Sequence, residues 1–419
     1  MRFDPAAATA TYIDGLGVEA LAKAASYTAG SHWLLLWGLV ISGLATFGIV
    51  RSGVLETLAE KLAARGWFVR TWLIGIAYFL IYAVITLPWS IYEEWGRERH
   101  YGRTDQPLSD FLMQDAIGIA ISAVFGALFF VGIYALIRRA GRRWWLWSGG
   151  LAASAITALL LLSPIVIEPL FNDYQPVPEG PVRTALLGMA DEAGIPHDRL
   201  FVYDGSRQSN NFTANVSGIM GSARIAISDV ALGEASLDEV KAVTGHEIGH
   251  YMLGHIWRQA ILFSLLAIVF FLLADRLYPR IAQAFGSRTQ IGDPAGIPVL
   301  IFIVGLLGLF ATPVINAVIR TGEAEADNYS LRTTNLPDAL AGALVKTAEY
   351  RYPRPHPLQE MLFYTHPSVE WRVRNAMNWK AGHMDEAAGA AAATAAEAAG
   401  MTRDARVIAP LARPPAETP

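Results

Sequence analysis

Nearly uncharged, mostly apolar stretches recur six times along the chain, over residues 33–50, 71–92, 116–137, 144–167, 256–274 and 295–319. A helix needs roughly 20 such residues to cross about 30 Å of hydrocarbon, so each stretch is about long enough to span a bilayer. Any one of them alone would pass for a buried core helix, and 256–274, with Arg258 near its start, is the weakest. Six together predict a polytopic membrane protein. Ahead of the first run, residues 1–30 lack the charged start and apolar core of a cleavable signal, so the first span would itself act as the signal. Within that N-terminal interfacial segment, 12–27 predicts a short helix lying at the membrane surface. No internal repeat is evident, which argues against the paired halves of many transporters.

Outside the spans the pattern turns amphipathic. Residues 31–170 hold spans one to four and 256–319 hold spans five and six, leaving 171–255 and 320–383 as segments long enough to carry chemistry. Spans five and six form a hairpin, so these two segments share one side of the membrane. In the first, 182–193 predicts an amphipathic helix and 200–204 a strand, with a second strand over 223–228, where Ala-Arg-Ile-Ala-Ile alternates. Residues 236–253 predict a helix with Ser236 as N-cap and Glu239, three residues on, completing a capping box. Residues 384–419 are rich in Ala, Glu and Pro, with too few large apolar side chains to fold alone, and predict a disordered tail.

Composition narrows the chemistry. Of 419 residues 53% are hydrophobic and only 17% charged, against about 25% in soluble domains. The net charge of −4 argues against a nucleic-acid partner, which needs a surplus of Lys and Arg. No cysteine is present, which excludes disulfides, thiolate zinc sites, iron–sulfur ligation and a cysteine nucleophile. A metal would have to sit on His and carboxylates.

The helix over 236–253 contains His246-Glu247-Ile248-Gly249-His250, an HExxH motif. Imidazoles at i and i+4 lie one above the other and can grip one zinc ion, with the intervening Glu placed to hold the zinc-bound water. A hydrolytic zinc takes a third protein ligand and keeps one position open. His255 is one candidate, yet it follows His250 by five residues with Gly254 just before it, which misses the metzincin spacing on both counts. Glu323 is the better candidate. Asp327 lies one helical turn beyond it, so one face can offer a ligand and a carboxylate to brace a ligating His, while Glu325 points elsewhere.

These residues resemble the integral-membrane CAAX prenyl protease type I zinc metallopeptidases and, more distantly, the HtpX-type membrane proteases. The likeness runs from about Trp72 to Trp379. It rests on Leu87-Pro88-Trp89-Ser90-Ile91-Tyr92 followed by Glu93 and Glu94, on Asp115, on Pro169 to Asn172, Ala214 to Gly218 and Ala226 to Asp229, on the HExxH with His255, on Glu323 with Asp327, and on His366-Pro367-Ser368 with Arg372. The resemblance implies that His246, His250 and Glu323 ligate one Zn2+ per chain and that Glu247 is the general base. It implies that Asp327 buttresses a ligating His. It also puts His366 and Arg372 near the metal, to stabilise the oxyanion or orient the substrate. A strand presenting backbone to an extended peptide is expected near Ala214, although Thr213 stands where Asn is usual. Eukaryotic members have seven spans against the six expected here.

The expected fold is mainly α: a polytopic bundle of about six spans carrying a small α+β zinc metalloprotease portion, built from the segments before span five and after span six. The expected activity is peptide-bond hydrolysis like that of the protease removing the C-terminal tripeptide of prenylated CAAX proteins. The partners are a peptide or protein substrate, lipidated or not, and membrane lipid. Broader membrane-protein quality control fits the same site. A metal-regulated transporter would need ionisable residues within several spans, which are almost free of them. Orientation divides two arguments. Arg51, Lys61, Arg65 and Arg70, then Arg138, Arg139, Arg142 and Arg143, then Arg276, Arg280 and Arg288 mark the loops opposite the catalytic segments. The positive-inside rule makes those loops cytoplasmic, whereas the family resemblance implies a cytoplasmic catalytic face.

Overall fold

The computed structural model of the chain describes residues 3–218 and 223–384. Among the described residues, five helical stretches are long and apolar enough to cross a membrane: Gly17–Ser52, Trp67–His100, Leu108–Leu170, His255–Phe285 and Pro294–Thr334. The six apolar runs become five stretches because runs three and four lie in one, Leu108–Leu170, of 63 residues. That stretch reverses at Gly141, whose φ of 52° and ψ of −130° few other residues adopt. Ile133 before the turn and Trp144 and Ala152 after it share one buried cluster with Phe271, Ala274 and Val299. Only 17–28% of the most apolar window of each stretch is buried, so Leu, Val, Phe and Trp side chains cover an outer surface suited to lipid.

The helices overrun the apolar runs that predict them. Gly17–Ser52 has 36 residues, about 54 Å long, and leaves the hydrocarbon as a continuous rod. The surface helix expected over 12–27 is therefore not a separate element. Pro5–Asp14 forms its own helix, the chain is redirected at Gly17, whose φ is 80°, and the next helix runs from there. The N-terminal helix joins the catalytic side, where Ile13 is fully buried among Ala242, Leu331, Leu344, Val369 and Val373. Ile297–Thr334 has 38 residues, about 57 Å long. It carries the sixth apolar run and then Glu323 and Asp327 without a break.

The segment after the fourth run folds as a small α+β unit. Its four-stranded sheet has the order β1-β2-β4-β3, with β1 at Tyr174–Pro176, β2 at Leu200–Tyr203, β3 at Ala214–Ser217 and β4 at Arg224–Ser228. β2 and β4 pair in parallel, and β1 and β3 flank them antiparallel. Ile225 and Ile227 on β4 pack with Leu186 and Ala190 of the helix Pro181–Ala193 and with Val240 and Ile248 of the helix Leu237–Met252. The described residues end on a helix over 369–384; the rest of the expected tail lies outside the described residues. Within the membrane bundle a cavity of about 330 Å³ opens between Trp67–Ser90 and Leu108–Ile121, lined by Tyr82, Thr86, Ser90, Asp115, Ser122 and Ile301.

Candidate metal centre

The helix Leu237–Met252 starts on the expected capping box: Ser236 accepts from the Glu239 N–H and the Glu239 carboxylate accepts from the Ser236 N–H. It lies against Ile297–Thr334 at unusually short range. A Cβ placed on Gly249 would come 3.0 Å from Tyr329 Cβ and 3.2 Å from Ala326 Cα, and one on Gly245 2.9 Å from Thr334 Cγ2. Buried Ser330 adds a hydrogen bond of 2.6 Å from its Oγ to the Ala242 carbonyl. The small residue inside the HExxH motif thus sets how near the carboxylates of the second helix approach the imidazoles of the first.

That approach brings three groups together. His246 Nε2 and His250 Nε2 are 3.1 Å apart, and Glu323 places Oε2 3.2 Å from the first and Oε1 3.4 Å from the second. Donor atoms of His246, His250 and Glu323 all lie within 4.8 Å of one another and could hold a metal ion. Glu323 Oε2 is buried and, although His246 Nε2 and His366 Nε2 each lie 3.2 Å away, makes no well-directed hydrogen bond, so it keeps lone-pair capacity for a cation. Burial opposes a proton on His246, but Asp327 and Glu323 outweigh it and raise its pKa to about 10. The pocket therefore favours positive charge, and two nitrogens with one carboxylate suit a divalent metal.

Behind His246 sits a fully buried clamp. Asp327 Oδ1 is 2.9 Å from His246 Nδ1, and Arg372 grips both carboxylate oxygens, Nε to Oδ2 at 2.7 Å and Nη2 to Oδ1 at 2.6 Å. Its fork is turned to Asp327, with Nη2 3.8 Å from Glu323 Oε2. His366 reaches the centre from a loop, with Nε2 3.2 Å from Glu323 Oε2 and Nδ1 2.9 Å from Thr365 Oγ1. Burial first, then the charge of Arg351, drives its pKa well below the ordinary value, so it is neutral. Glu247, half-buried, makes no hydrogen bond or ion pair among the described residues, and burial raises its pKa.

Other residues lie elsewhere. His255 is buried but not within the metal-binding group: its Nδ1 faces His250 Nδ1 at 2.7 Å and its Nε2 faces Glu325 Oε2 at 3.0 Å. Thr213 bonds Tyr203 Oη at 2.7 Å and exchanges backbone and side-chain bonds with Ser228, tying it to the sheet. Sequence reasoning missed Arg320 and Asn316, which hold the loop before His366. Arg320 Nη1 donates to the carbonyls of Glu360 and Tyr364 at 2.9 and 2.5 Å, and Asn316 Nδ2 to that of Leu362 at 3.0 Å. Polar residues at i and i+4 in the last turns of an apolar run were the available signal.

A HExxH helix facing a carboxylate on the extension of a membrane helix defines a membrane-embedded metallopeptidase. Comparison with known proteins gives the same class. Residues 176–380 match the family described as Peptidase family M48. Residues 8–173 match the one described as CAAX prenyl protease N-terminal, five membrane helices. The chain is 27% identical to an uncharacterized metalloprotease, YhfN, of Bacillus subtilis, over 85% of both chains. It is 25% identical to CAAX prenyl protease 1 of Saccharomyces cerevisiae, over 81% of this chain and 76% of that one. Its fold resembles the crystal structure of S. mikatae Ste24p with a TM-score of 0.71 at 20% identity, covering 87% of this chain and 90% of the other. The chain belongs to the CAAX prenyl protease type I family and is an integral-membrane metalloprotease.

Proposed function

We propose that this metalloprotease is a zinc endopeptidase that cleaves near the C-terminus of prenylated CAAX-type proteins, taking peptide and lipid into the membrane bundle. The observation that carries the zinc reading is the convergence of His246, His250 and Glu323 beside Glu247. The substrate reading is supported by relatives in yeast and Arabidopsis thaliana named for CAAX prenyl protease activity and by the cavity among the spans. Strand β3 at the sheet edge supports docking of an extended peptide by strand addition.

His246 and His250 would present Nε2 and Glu323 a carboxylate oxygen. Zinc held there supplies Lewis acidity, which polarises the scissile carbonyl and makes a water molecule acidic near neutral pH. Glu247, raised by burial and unencumbered by partners, accepts the proton of the attacking water and passes it to the leaving amine. Asp327 accepts the His246 Nδ1–H and so presents Nε2 to the metal. His366, with the Thr365 hydroxyl donating to Nδ1, turns an Nε2–H toward the centre. A donor so placed opposes oxyanion charge by roughly 3–4 kcal/mol. Arg372 is a positioning residue, holding Asp327 rather than the substrate.

Glu247→Gln is expected to retain zinc and lose hydrolysis by about 10²- to 10⁴-fold; a purified variant cleaving at the wild-type rate would overturn the mechanism. A farnesylated CAAX peptide should be cleaved in preference to its unprenylated twin, and equal rates would favour broader membrane-protein cleavage. The catalytic face is assigned to the cytoplasm on the family resemblance, against the flanking-charge count, and the location of a reporter fused after Pro419 tests it.

A further inference from the structure

The second ligating imidazole has a brace of its own. His250 turns Nε2 toward His246 and Glu323, so its Nδ1 must carry the proton when Nε2 serves a metal. That Nδ1 meets His255 Nδ1 at 2.7 Å. Two ring nitrogens at this distance share one proton, so His255 accepts through Nδ1 and carries its own proton on Nε2. His255 Nε2 lies 3.0 Å from Glu325 Oε2, a carboxylate oxygen that can only accept. Arg258 Nη1 holds the same oxygen at 2.8 Å. Every proton in the chain from His250 to Glu325 is thus fixed by its neighbours.

We infer that His255, Glu325 and Arg258 form a positioning arm that fixes the tautomer and orientation of His250, matching the Asp327 and Arg372 arm behind His246. Each ligating imidazole then ends on a carboxylate gripped by an arginine, directly for His246 and through an interposed imidazole for His250. Gly254 makes the second arm possible: its φ of 66° turns the chain between Leu237–Met252 and His255–Phe285 so that the first residue of the new helix folds back under His250. His255 is 3% exposed, whereas the side chains of Glu325 and Arg258 are 44% and 36% exposed. The inner joint is therefore the strong one and the outer pair is weakened by water. This inference rests on the metal-centre reading above.

The test is zinc affinity of the full-length protein in detergent, measured by competition with a chromophoric chelator, together with the visible spectrum after cobalt substitution. Removal of a partner that orients a metal ligand costs about 10- to 100-fold in metal affinity. His255→Ala is expected to lose zinc affinity near the upper end of that range, and Glu325→Gln, isosteric and partly exposed, near the lower end. His255→Asn, which restores an acceptor opposite His250 Nδ1, should recover most of the loss. The cobalt spectrum of His255→Ala should keep its tetrahedral intensity, since no ligand is removed. Zinc affinity within twofold of wild type in both His255→Ala and Glu325→Gln would overturn the arm. Collapse of the cobalt intensity in His255→Ala would overturn it too, by making His255 a ligand. Wild-type protein that binds no zinc would remove the metal-centre reading and the arm with it, an outcome distinct from intact wild-type binding with unaffected variants.

Discussion

Gly249→Ala sets two opposing effects against each other. Gly249 lies in the helix Leu237–Met252, where Ala should be favoured over Gly by about 1 kcal/mol. Its added Cβ, however, would sit 3.0 Å from Tyr329 Cβ and 3.2 Å from Ala326 Cα, against about 3.5–4.0 Å for a comfortable carbon contact. Neither obstacle is the end of a flexible side chain, so the helices must part by about 0.5 Å. Overpacking of this kind costs roughly 1–3 kcal/mol, which exceeds the propensity gain over most of its range. The same movement draws Glu323 away from His246 and His250. A 1 Å misplacement costs about a hundredfold in rate, so half of it should cost about tenfold. The control is Gly188→Ala on the helix Pro181–Ala193, where a Cβ meets nothing within 4 Å; only propensity acts there, and the variant should be more stable than wild type with unchanged activity. Thermal unfolding in detergent, chelator competition and peptide hydrolysis on both variants decide the matter. A Gly249→Ala protein that melts above wild type and cleaves at full rate would refute the idea that close helix packing sets the geometry of the centre.

Asp327→Ala would leave Arg372, 5% exposed, without its carboxylate. A stranded buried charge costs about 3–5 kcal/mol, so the variant should unfold at markedly lower temperature, and an unchanged melting profile would contradict the clamp. Arg320→Ala would take a donor from two carbonyls, that of Glu360, which keeps the Tyr364 N–H, and that of Tyr364, at about 1–3 kcal/mol for a buried group left unpaired. Because the loop it releases carries His366 and none of the three candidate ligands, kcat/KM should fall while zinc stoichiometry stays at wild-type level. Removing metal with a chelator should destabilise wild type, since free zinc at 100 times its Kd contributes about 2.7 kcal/mol. Glu323→Ala should show little of that zinc-dependent shift in unfolding temperature.

What the sequence reveals about this molecule follows what each physical signal measures. The capping box and the i, i+4 imidazoles are local, and they appear in the structure at Ser236, Glu239, His246 and His250 as their spacing predicts. Strand β4 was legible because Ile225 and Ile227 alternate with Arg224, Ala226 and Ser228, and the two Ile side chains join the buried core. β1, of three residues, is too short to show a period, and β3 was expected only through the family resemblance; both are ordered by their pairing with β2 and β4. Hydropathy reports where a helix meets lipid, not where it ends. Arg320, Glu323, Glu325 and Asp327 closed the sixth apolar run in the sequence, yet the helix continues through them to Thr334. His255 was ambiguous for a related reason. Its spacing from His250 says that the two are near, while only the turn at Gly254 says which nitrogen faces which.

The continuity of those helices has a mechanical consequence. Glu323 rides on a rod rooted in the membrane, and the His255 brace begins the next membrane-length helix. His246 and His250 sit on the helix between sheet and rod, pressed to the latter through Gly245 and Gly249. A relative movement of the two rods would change the distance from Glu323 to the imidazoles and the seating of His255 against His250 together. The catalytic side is therefore not an independent domain tethered to an anchor, because its candidate ligands are set by the packing of the bundle itself. A protease built in this way should lose zinc affinity when the detergent loosens the contact between His255–Phe285 and Ile297–Thr334, even with the sheet intact. Detergents that preserve far-ultraviolet circular dichroism but lower zinc affinity would bear this out, and zinc affinity indifferent to such loosening would refute it.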